Sequence, residues 1–370
     1  MKTIRLLVAL AAVLIGAAQR SSAATSFTLT TTQGSAFTLW LNADVEADLS
    51  WSDGTTAKLP AGSVYTTTAP ADKITVKVAA GKITEIVAPS SGITAVALSS
   101  CTDLQVLWLP DNRLAALDLS RQKQLRNLVV SGNELEKLTL GSNQLSHLWV
   151  DANKLSGTLD LSELPALVTV AADNNDYALI KLNGSATAKK ALTDFYAHNN
   201  ALWYNSFPTV YNTTTNKYTL RNVLAPQRPF FAFYGKELNQ KYDSGDIFRY
   251  NAWNVAVSEE LTFADTQGGE LVSGTDFTKS GYNYTFLTEH KSVVITGTSR
   301  LYPDVVLTTQ PFALLADLTG IAAPDLAAPA GQSTAAPAYD LSGRTLLQSG
   351  LSGRSLNHGL YIQNGKKIIR

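Results

Sequence analysis

Apolar and polar positions between residues 83 and 202 follow a beat that repeats five times. Written L-x-x-L-x-L-x-x-N-x-L, it is matched by Leu104, Leu107, Leu109, Asn112 and Leu114, by Leu125, Leu128, Val130, Asn133 and Leu135, and by Leu145, Leu148, Val150, Asn153 and Leu155. Looser copies run through Leu167, Val170, Ala172 and Asn175 and through Leu192, Phe195, Ala197, Asn200 and Leu202, and an earlier one begins at Ile83 with Ile86 and Ala88. The starts at 83, 104, 125, 145 and 167 lie 20 to 22 residues apart. Half-repeats with the same beat fall between them, at Ile93, Val96, Leu98; Leu114, Leu117, Leu119; Leu135, Leu138, Leu140; and Leu159, Leu161. Each coil therefore carries two short extended segments on opposite sides of one core, and the chain stacks coil on coil.

An extended segment alternates its side chains, so the residue between the second and third apolar positions points outward. Coil by coil that position reads Val87, Trp108, Val129, Trp149, Ala171 and Tyr196, whereas in the half-repeats it reads Ala97, Asp118, Thr139 and Asp160. The aromatic enrichment is one-sided. Parallel strands in successive coils lie about 4.8 Å apart, so rings two coils apart stand about 10 Å apart on one face. Gln105 and Asp111 flank Trp108, His147 and Asp151 flank Trp149, and Asp194 and His198 flank Tyr196. Rings beside amide, carboxylate and imidazole groups suit stacking on a sugar face or gripping a protein loop. The competing reading is that the rings cover one another or lie beneath a neighbouring module.

Elsewhere the pattern changes. Residues 25–82 alternate as strands ("FTLWLNA", "KITVKVA"), with Asp53-Gly54 in "LSWSDGT" supplying a tight turn, and predict a small β-cap continuous with the coils. The stretch Trp203–Pro229 is aromatic and turn-rich with no repeat beat, and is expected to close the last coil. From about 230 to 316, short strands broken by polar turns predict an antiparallel β-sandwich. Ile321–Ala338 is rich in Ala and Pro, as an extended linker is. The boundaries expected are 1–24 leader, 25–82 cap, 83–221 coils with their C-terminal closure, 222–316 sandwich, 317–338 linker and 339–370 tail.

The alternation of "LAALDLS" with "LRNLVVSGNEL" resembles the short bacterial form of the leucine-rich repeat family. That resemblance implies a right-handed solenoid whose Asn112, Asn133, Asn153, Asn175 and Asn200 form a structural ladder, their amides satisfying backbone groups in the turns. "LSWSDGT" resembles a strand and turn that often precedes such repeats in secreted bacterial proteins, and the sandwich resembles the immunoglobulin-like module that commonly follows them. The fold class expected is mainly β: a leucine-rich repeat solenoid with an N-terminal β-cap, an antiparallel immunoglobulin-like β-sandwich and a short β tail. In that tail Tyr339, Asp340, Gly343 and Arg344, then Gly359, Tyr361, Gly365 and Lys366, resemble the C-terminal sorting domain of the type IX secretion system, without the upstream Pro-Asn-Pro segment of full-length versions. The resemblance implies recognition by export machinery and a place outside the cell, secreted or on the outer surface of a Gram-negative bacterium.

Composition narrows the partners. The 370 residues hold 30 Lys+Arg against 30 Asp+Glu, and a balanced chain is a poor match for nucleic acid or an anionic membrane. Lys2 and Arg5 precede an apolar run from Leu6 to Ala18 and then small residues, the pattern of a cleaved secretory signal; the mature chain is expected to be soluble, with no transmembrane segment. Cys101 is the only cysteine, which excludes an intramolecular disulfide and a cysteine-based zinc site; it sits at a ladder position of its half-repeat, where a thiol is expected buried and inert.

Catalytic signatures are not found. His147, His198, His290 and His358 form no helical metal spacing, and "ADNNDY" lacks the 12-residue calcium-loop pattern and reads as a ladder turn. No catalytic residue, metal site or cofactor is expected. The reading is a non-enzymatic exported surface protein that binds a protein or polysaccharide through the solenoid face. The alternative is a structural or self-assembling surface spacer, and a carbohydrate-active enzyme ranks third because paired carboxylates leave little trace in one sequence.

Overall fold

The computed structural model describes residues 25–42, 44–208, 211–212, 217–218, 221–225, 227–229, 235–243, 259–316, 338–340, 345–346, 360–363 and 366–369. The protein is mainly β, with a β-solenoid of about five turns. The expected leader (1–24), residues 317–337 of the expected linker, and Gly343, Arg344, Gly359 and Gly365 of the expected sorting motif lie outside the described residues. Among those described, no helix is long and apolar enough to cross a membrane. The chain divides into two compact units; the break follows Val130, with Leu138–Ser142 belonging to the first unit and Ser131–Lys137 to the second.

The first unit opens with β1 (Thr25–Thr31), β2 (Ala36–Leu41), β3 (Ala47–Trp51), β4 (Thr56–Leu59), β5 (Tyr65–Thr68) and β6 (Lys73–Val78). It continues into the coils through β7 (Glu85–Val87), β8 (Ile93–Ala97), β9 (Val106–Trp108), β10 (Ala116–Asp118) and β11 (Asn127–Val129). Strands β4, β3, β6, β1 and β8 form one sheet, while β5, β2, β7, β9 and β11 are neighbours in another. The cap thus meets both sides of the first coil. Antiparallel β2 covers β7, and antiparallel β1 covers β8, so both open ladders are closed where a solenoid would otherwise expose unpaired edges. The alternation of "KITVKV" is seen directly, as Ile74, Val76 and Val78 are fully buried and the lysines exposed. The Asp53-Gly54 turn is closed by the Asp53 carboxylate, which accepts from the Thr55 N–H at 2.9 Å, with Gly54 at φ 91°.

Strand β12 (Lys137–Thr139) straddles the division of the chain; in the second unit the repeat strands are β13 (His147–Trp149), β15 (Thr169–Ala171) and β17 (Asp194–Tyr196), with β14 (Ser156–Leu161), β16 (Asp176–Leu182) and helix α1 (Ala186–Ala191) on the opposite side or between coils. After a hairpin of β18 (Tyr211–Asn212) and β19 (Lys217–Tyr218), β20 (Arg221–Val223) pairs parallel with β17. This corrects the expectation that Trp203–Pro229 only closes the coils: it holds a further repeat strand. Gln227 follows β20 at the ladder position, where its Oε1 accepts from the Leu202 N–H at 3.2 Å and its Nε2 donates to Ala197 O at 2.9 Å.

The ladder residues share one arrangement. Asn112 Oδ1 accepts from the N–H groups of Ser91 and Ile93 at 2.9 and 3.0 Å, and its Nδ2 donates to the carbonyls of Ala88, Leu109 and Pro110. Asn153, Asn175 and Asn200 likewise accept from Leu135, Leu155 and Tyr177 and donate within their own turns. Asn133 is buried and donates to Ser131 O. Before Asn112, Ser91 holds the equivalent place with a hydroxyl, fully buried and donating to Thr38 O at 3.0 Å. On the opposite side Gln122, 1% exposed, donates to Leu98 O at 2.9 Å, and Cys101 lies buried with burial pushing its thiol up to about 12. Val96, Leu138 and Leu140 of the half-repeats are only half-buried, so that side is covered less completely than the leucine pattern predicts.

One residue before each ladder residue the backbone turns left-handed: Ser90, Asp111, Gly132, Ala152, Asn174 and Asn199 all have φ between 48° and 65°. Only glycine adopts this conformation without steric cost. Gly132→Ala is expected to lower the unfolding free energy by about 1 kcal/mol. Gly184, which has ordinary φ and open space around a Cβ, should tolerate the same change. Comparing the two by urea denaturation checks this, and equal midpoints would refute it.

The rest of the second unit comprises β21 (Gly235–Glu237), β22 (Lys241–Asp243), β23 (Glu259–Asp265), β24 (Gly269–Glu270), β25 (Phe277–Ser280), β26 (Asn283–Phe286), β27 (His290–Ser299), β28 (Tyr302–Thr308) and β29 (Phe312–Leu315). One sheet runs β21, β29, β27, β23, β24 with β28 beside β27, and the other β22, β26, β25. Phe263 of the first packs against Phe277, Tyr284 and Phe286 of the second, with ring centroids 4.8 to 5.3 Å apart. The two layers share an aromatic core, and β21 and β29 run parallel where a wholly antiparallel sandwich was expected.

The sandwich is packed onto the end of the solenoid. Tyr204 stacks on Tyr302 of β28 at 5.5 Å, Phe207 meets the same ring edge-on at 5.5 Å, and all three are 0 to 1% exposed. The Tyr302 hydroxyl donates to the carbonyl of Pro208, and that of Tyr204 to Gly297 O. In the tail, β30 (Ala338–Asp340), β31 (Thr345–Leu346), β32 (Leu360–Gln363) and β33 (Lys366–Ile369) pair in the order β31, β30, β32, β33, placing Tyr339 opposite Ile362 and Asp340 opposite Tyr361.

Candidate functional site

The register of the repeat strands sets which side chains share a column. In the first unit Val87, Trp108 and Val129 are paired partners, as are Glu85, Val106 and Asn127. In the second, Trp149, Ala171 and Tyr196 align, beside a row of His147, Thr169 and Asp194. The central residues Leu148, Val170 and Phe195 point inward and are fully buried. Outward aim is therefore dictated by the inward leucines, one residue away on each side.

The column residues differ in exposure. Trp108 is half-buried beside Val129, which is 6% exposed. Trp149 is 40% exposed, the one large hydrophobic among the described repeat residues left open to that degree. Between it and half-buried Tyr196 lies Ala171, at 9% exposure. One small residue flanked by a ring on the strand to either side leaves a gap in the column, with the two ring-bearing strands about 10 Å apart.

The flanking residues fall into distinct places. His147 has its Nδ1 2.9 Å from Ser146 Oγ. The Asp151 carboxylate is oriented by the Ser131 hydroxyl, which donates to it at 2.5 Å. His198 Nε2 lies 3.6 Å from the Asp173 carboxylate, which also accepts from Asn174 Nδ2 at 2.6 Å. Asn199 Nδ2 then donates to Asn174 Oδ1 at 2.8 Å. Asp194 departs from the expectation of an open flanking group. It is 5% exposed and accepts from the Thr193 hydroxyl at 2.7 Å and from the Tyr196 hydroxyl at 3.2 Å, so it braces the tyrosine from beneath. In the first unit, Gln105 is half-buried with its carbonyl accepting from Arg126 and Asn127, and Asp111 is exposed in the left-handed turn.

Ser131 and Asn199 belong to this face and were not singled out from sequence, and Asp173 and Asn174 were read there only as part of a ladder turn. Their signal is positional: two residues past the column, or one before the ladder. Among the described residues of the face in the second unit, from Ser131 to Asn199, Asp151 and Asp173 are carboxylates that are not fully buried, and neither Lys nor Arg stands in the strand or turn positions named above. No group of three His, Cys, Asp or Glu among the described residues is arranged to hold a metal ion.

A second polar cluster lies in the sandwich. His290 Nδ1 is 2.9 Å from Asp265 Oδ2, its Nε2 is 3.0 Å from Thr288 Oγ1, and that hydroxyl donates to Asp276 Oδ1 at 2.9 Å. The Gln267 N–H holds the Asp265 carboxyl below its usual range, with His290 adding to it; the Val272 N–H and the Thr288 hydroxyl do the same for Asp276. Carboxyls lowered on folding stabilise the folded state above their unfolded value near 4, and that contribution is lost as pH falls through the lower folded values. Acid unfolding followed by tyrosine and tryptophan fluorescence is expected to set in at higher pH for Asp265→Asn than for the parent. Coincident acid transitions would remove the cluster from the account of stability.

No family model matches the chain, and no curated protein matches it. Among solved structures, the chain is similar to the functional domain of InlJ from Listeria monocytogenes, described as including a cysteine ladder, at 14% identity and a TM-score of 0.30. That likeness covers 60% of this chain and 55% of that one, so the chain spans about half the length of the neighbour it matches.

Proposed function

We propose that the protein is a non-enzymatic, exported binding protein that recognises a protein or polysaccharide through the outward face of its repeat strands. The observation that carries this reading is Trp149, 40% exposed in strict register with Ala171 and Tyr196. Leaving a tryptophan open to water forgoes about 2 kcal/mol of burial, and exposed Trp and Tyr recur at interface hot spots. Export is supported by the basic, apolar and small-residue order of residues 1–24 and by the sorting-like tail, which favour the outer surface of a Gram-negative cell. The sandwich, packed against Tyr204 and Phe207 through Tyr302, would mount the face.

The test is binding of the full chain to glycan and matrix-protein arrays beside Trp108→Ala/Trp149→Ala. A ligand retained by the parent and weakened at least tenfold in the variant is expected, because hot-spot aromatics cost more than about 1.4 kcal/mol when truncated. Identical patterns for parent and variant would make the rings structural cover.

A further inference from the structure

The outward column of the first unit does not stop at the coils. Antiparallel β2 brings Trp40 opposite Val87, and the parallel register carries Val87 on to Trp108 and Val129. Tyr65 of β5 pairs with Leu39, so Val64, one residue earlier, continues the line beyond Trp40. Across the neighbouring strands β5, β2, β7, β9 and β11 the outward position therefore reads Val64, Trp40, Val87, Trp108, Val129. Buried neighbours on both sides hold Trp40, Val87 and Trp108 outward: Leu39 and Leu41, Ile86 and Ala88, Leu107 and Leu109. Both tryptophans are half-buried, and Val64 is 53% exposed. Neither ring meets another ring, and neither indole N–H has an acceptor among the described residues. The rows beside the column add little charge. On one side stand the paired Thr66 and Thr38, then Pro89 and Pro110, two residues past Val87 and Trp108. On the other stand Glu85, Val106 and Asn127, where burial, with Asp44 adding to it, raises the Glu85 carboxyl above its ordinary range. Strand spacing puts the strands that bear Trp40 and Trp108 about 9.6 Å apart, leaving a gap over the smaller Val87 between the rings.

We infer that this stripe docks a proline-rich segment of a partner protein in the polyproline II conformation, running across the strands with a proline in the gap over Val87. The inference rests on the reading of the strand face as the binding face, and names the partner of that face. A polyproline II helix repeats every three residues, about 9.3 Å, which matches the two-strand step from one indole to the other. Its prolines carry no N–H and its carbonyls have no internal partner, so it asks a receptor for apolar notches and a few donors. Two indoles with free N–H groups, beside Val64, Val87, Pro89 and Pro110, offer both. The segment is stiff before it binds, so docking orders little that was free. Charge and polarity decide against other occupants. The rows named hold no cation for an anionic polymer, and their valines and prolines have no side-chain group to pair with the hydroxyls of a glycan.

The test uses the full-length protein with acetylated, amidated nonaproline, a Gly-Ser nonapeptide blocked in the same way, and cellohexaose. Binding is read from the indole N–H resonances, those of Trp40 and Trp108 being assigned by their loss in Trp40→Phe and Trp108→Phe. Nonaproline is expected to shift both resonances together, and the Gly-Ser peptide to shift neither. Trp40→Phe keeps a ring and removes the donor, and should weaken nonaproline binding about tenfold. Val87→Phe fills the gap from an outward position and should abolish binding, with circular dichroism showing the fold retained. No shift with nonaproline, a shift of only one of the two resonances or of other indoles alone, or equal binding of the Gly-Ser peptide would overturn the inference. So would undiminished binding by both variants, or binding of cellohexaose alone. If the inference fails while an array ligand is still lost in Trp108→Ala/Trp149→Ala, the face binds something other than a proline-rich segment. If no array ligand depends on those rings either, the binding face itself falls.

Discussion

Asn200→Ala is expected to lower the unfolding free energy of the protein by about 3–5 kcal/mol, since each orphaned buried backbone group costs about 1–3 kcal/mol. Asn200 is fully buried, accepts from the Tyr177 N–H at 3.0 Å, and donates to the carbonyls of Ala172, Ala197 and His198 at 2.9, 3.1 and 3.2 Å. One amide therefore serves its own turn and the preceding coil. Alanine removes every one of these partners. Chemical denaturation followed by circular dichroism measures the loss. A change below about 1 kcal/mol would mean the turn re-pairs its backbone without the amide.

Tyr302→Ala is the second large effect, with an expected loss of about 3–5 kcal/mol, the range for removing a buried aromatic ring. The ring is 1% exposed and touches Tyr204 and Phe207, and its hydroxyl satisfies a carbonyl that lies at the end of the solenoid. The substitution acts at a junction, so its signature is qualitative as well. The parent should unfold its second unit in one transition, whereas the variant should show the sandwich and the last coils melting separately in calorimetry. A single unshifted transition would show that the two parts do not stabilise each other through this contact.

The strand face was legible in the sequence because burial forces it: Leu107, Leu128, Leu148, Val170 and Phe195 must point inward, so their neighbours must point out. The ladder was legible where its chemistry used asparagine and not where it changed. Ser91 fills its place with a hydroxyl bonded to Thr38 of the cap, and Gln227 with a longer amide, so the ladder's first and last members escaped a template that asks for Asn. The strand Arg221–Val223 escaped with Gln227, because Asn222 stands where the template wants an apolar residue. Asp194 was placed on the correct strand, but alternation does not reveal that the Tyr196 hydroxyl reaches back to it. The Asp265, Asp276, Thr288 and His290 cluster joins strand and turn segments with no shared spacing, and a single sequence carries no mark of it. Parallel pairing of Gly235–Glu237 with Phe312–Leu315 has the same cause, a contact between distant segments with no local signature.

The ladder residues Asn112, Asn133, Asn153, Asn175, Asn200 and Gln227 are separated by 21, 20, 22, 25 and 27 residues, yet the strands they follow keep one register in each unit. The surplus goes elsewhere, into the longer strand Asp176–Leu182, helix α1 and the paired strands β18 and β19. Insertions on the back of a coil are thus invisible to the front. Duplicating one coil would advance the front by a single strand spacing, about 4.8 Å, and leave every existing column in place. Such an architecture can lengthen its reach in whole steps, as a ruler gains marks, while each new mark is free to carry a different side chain.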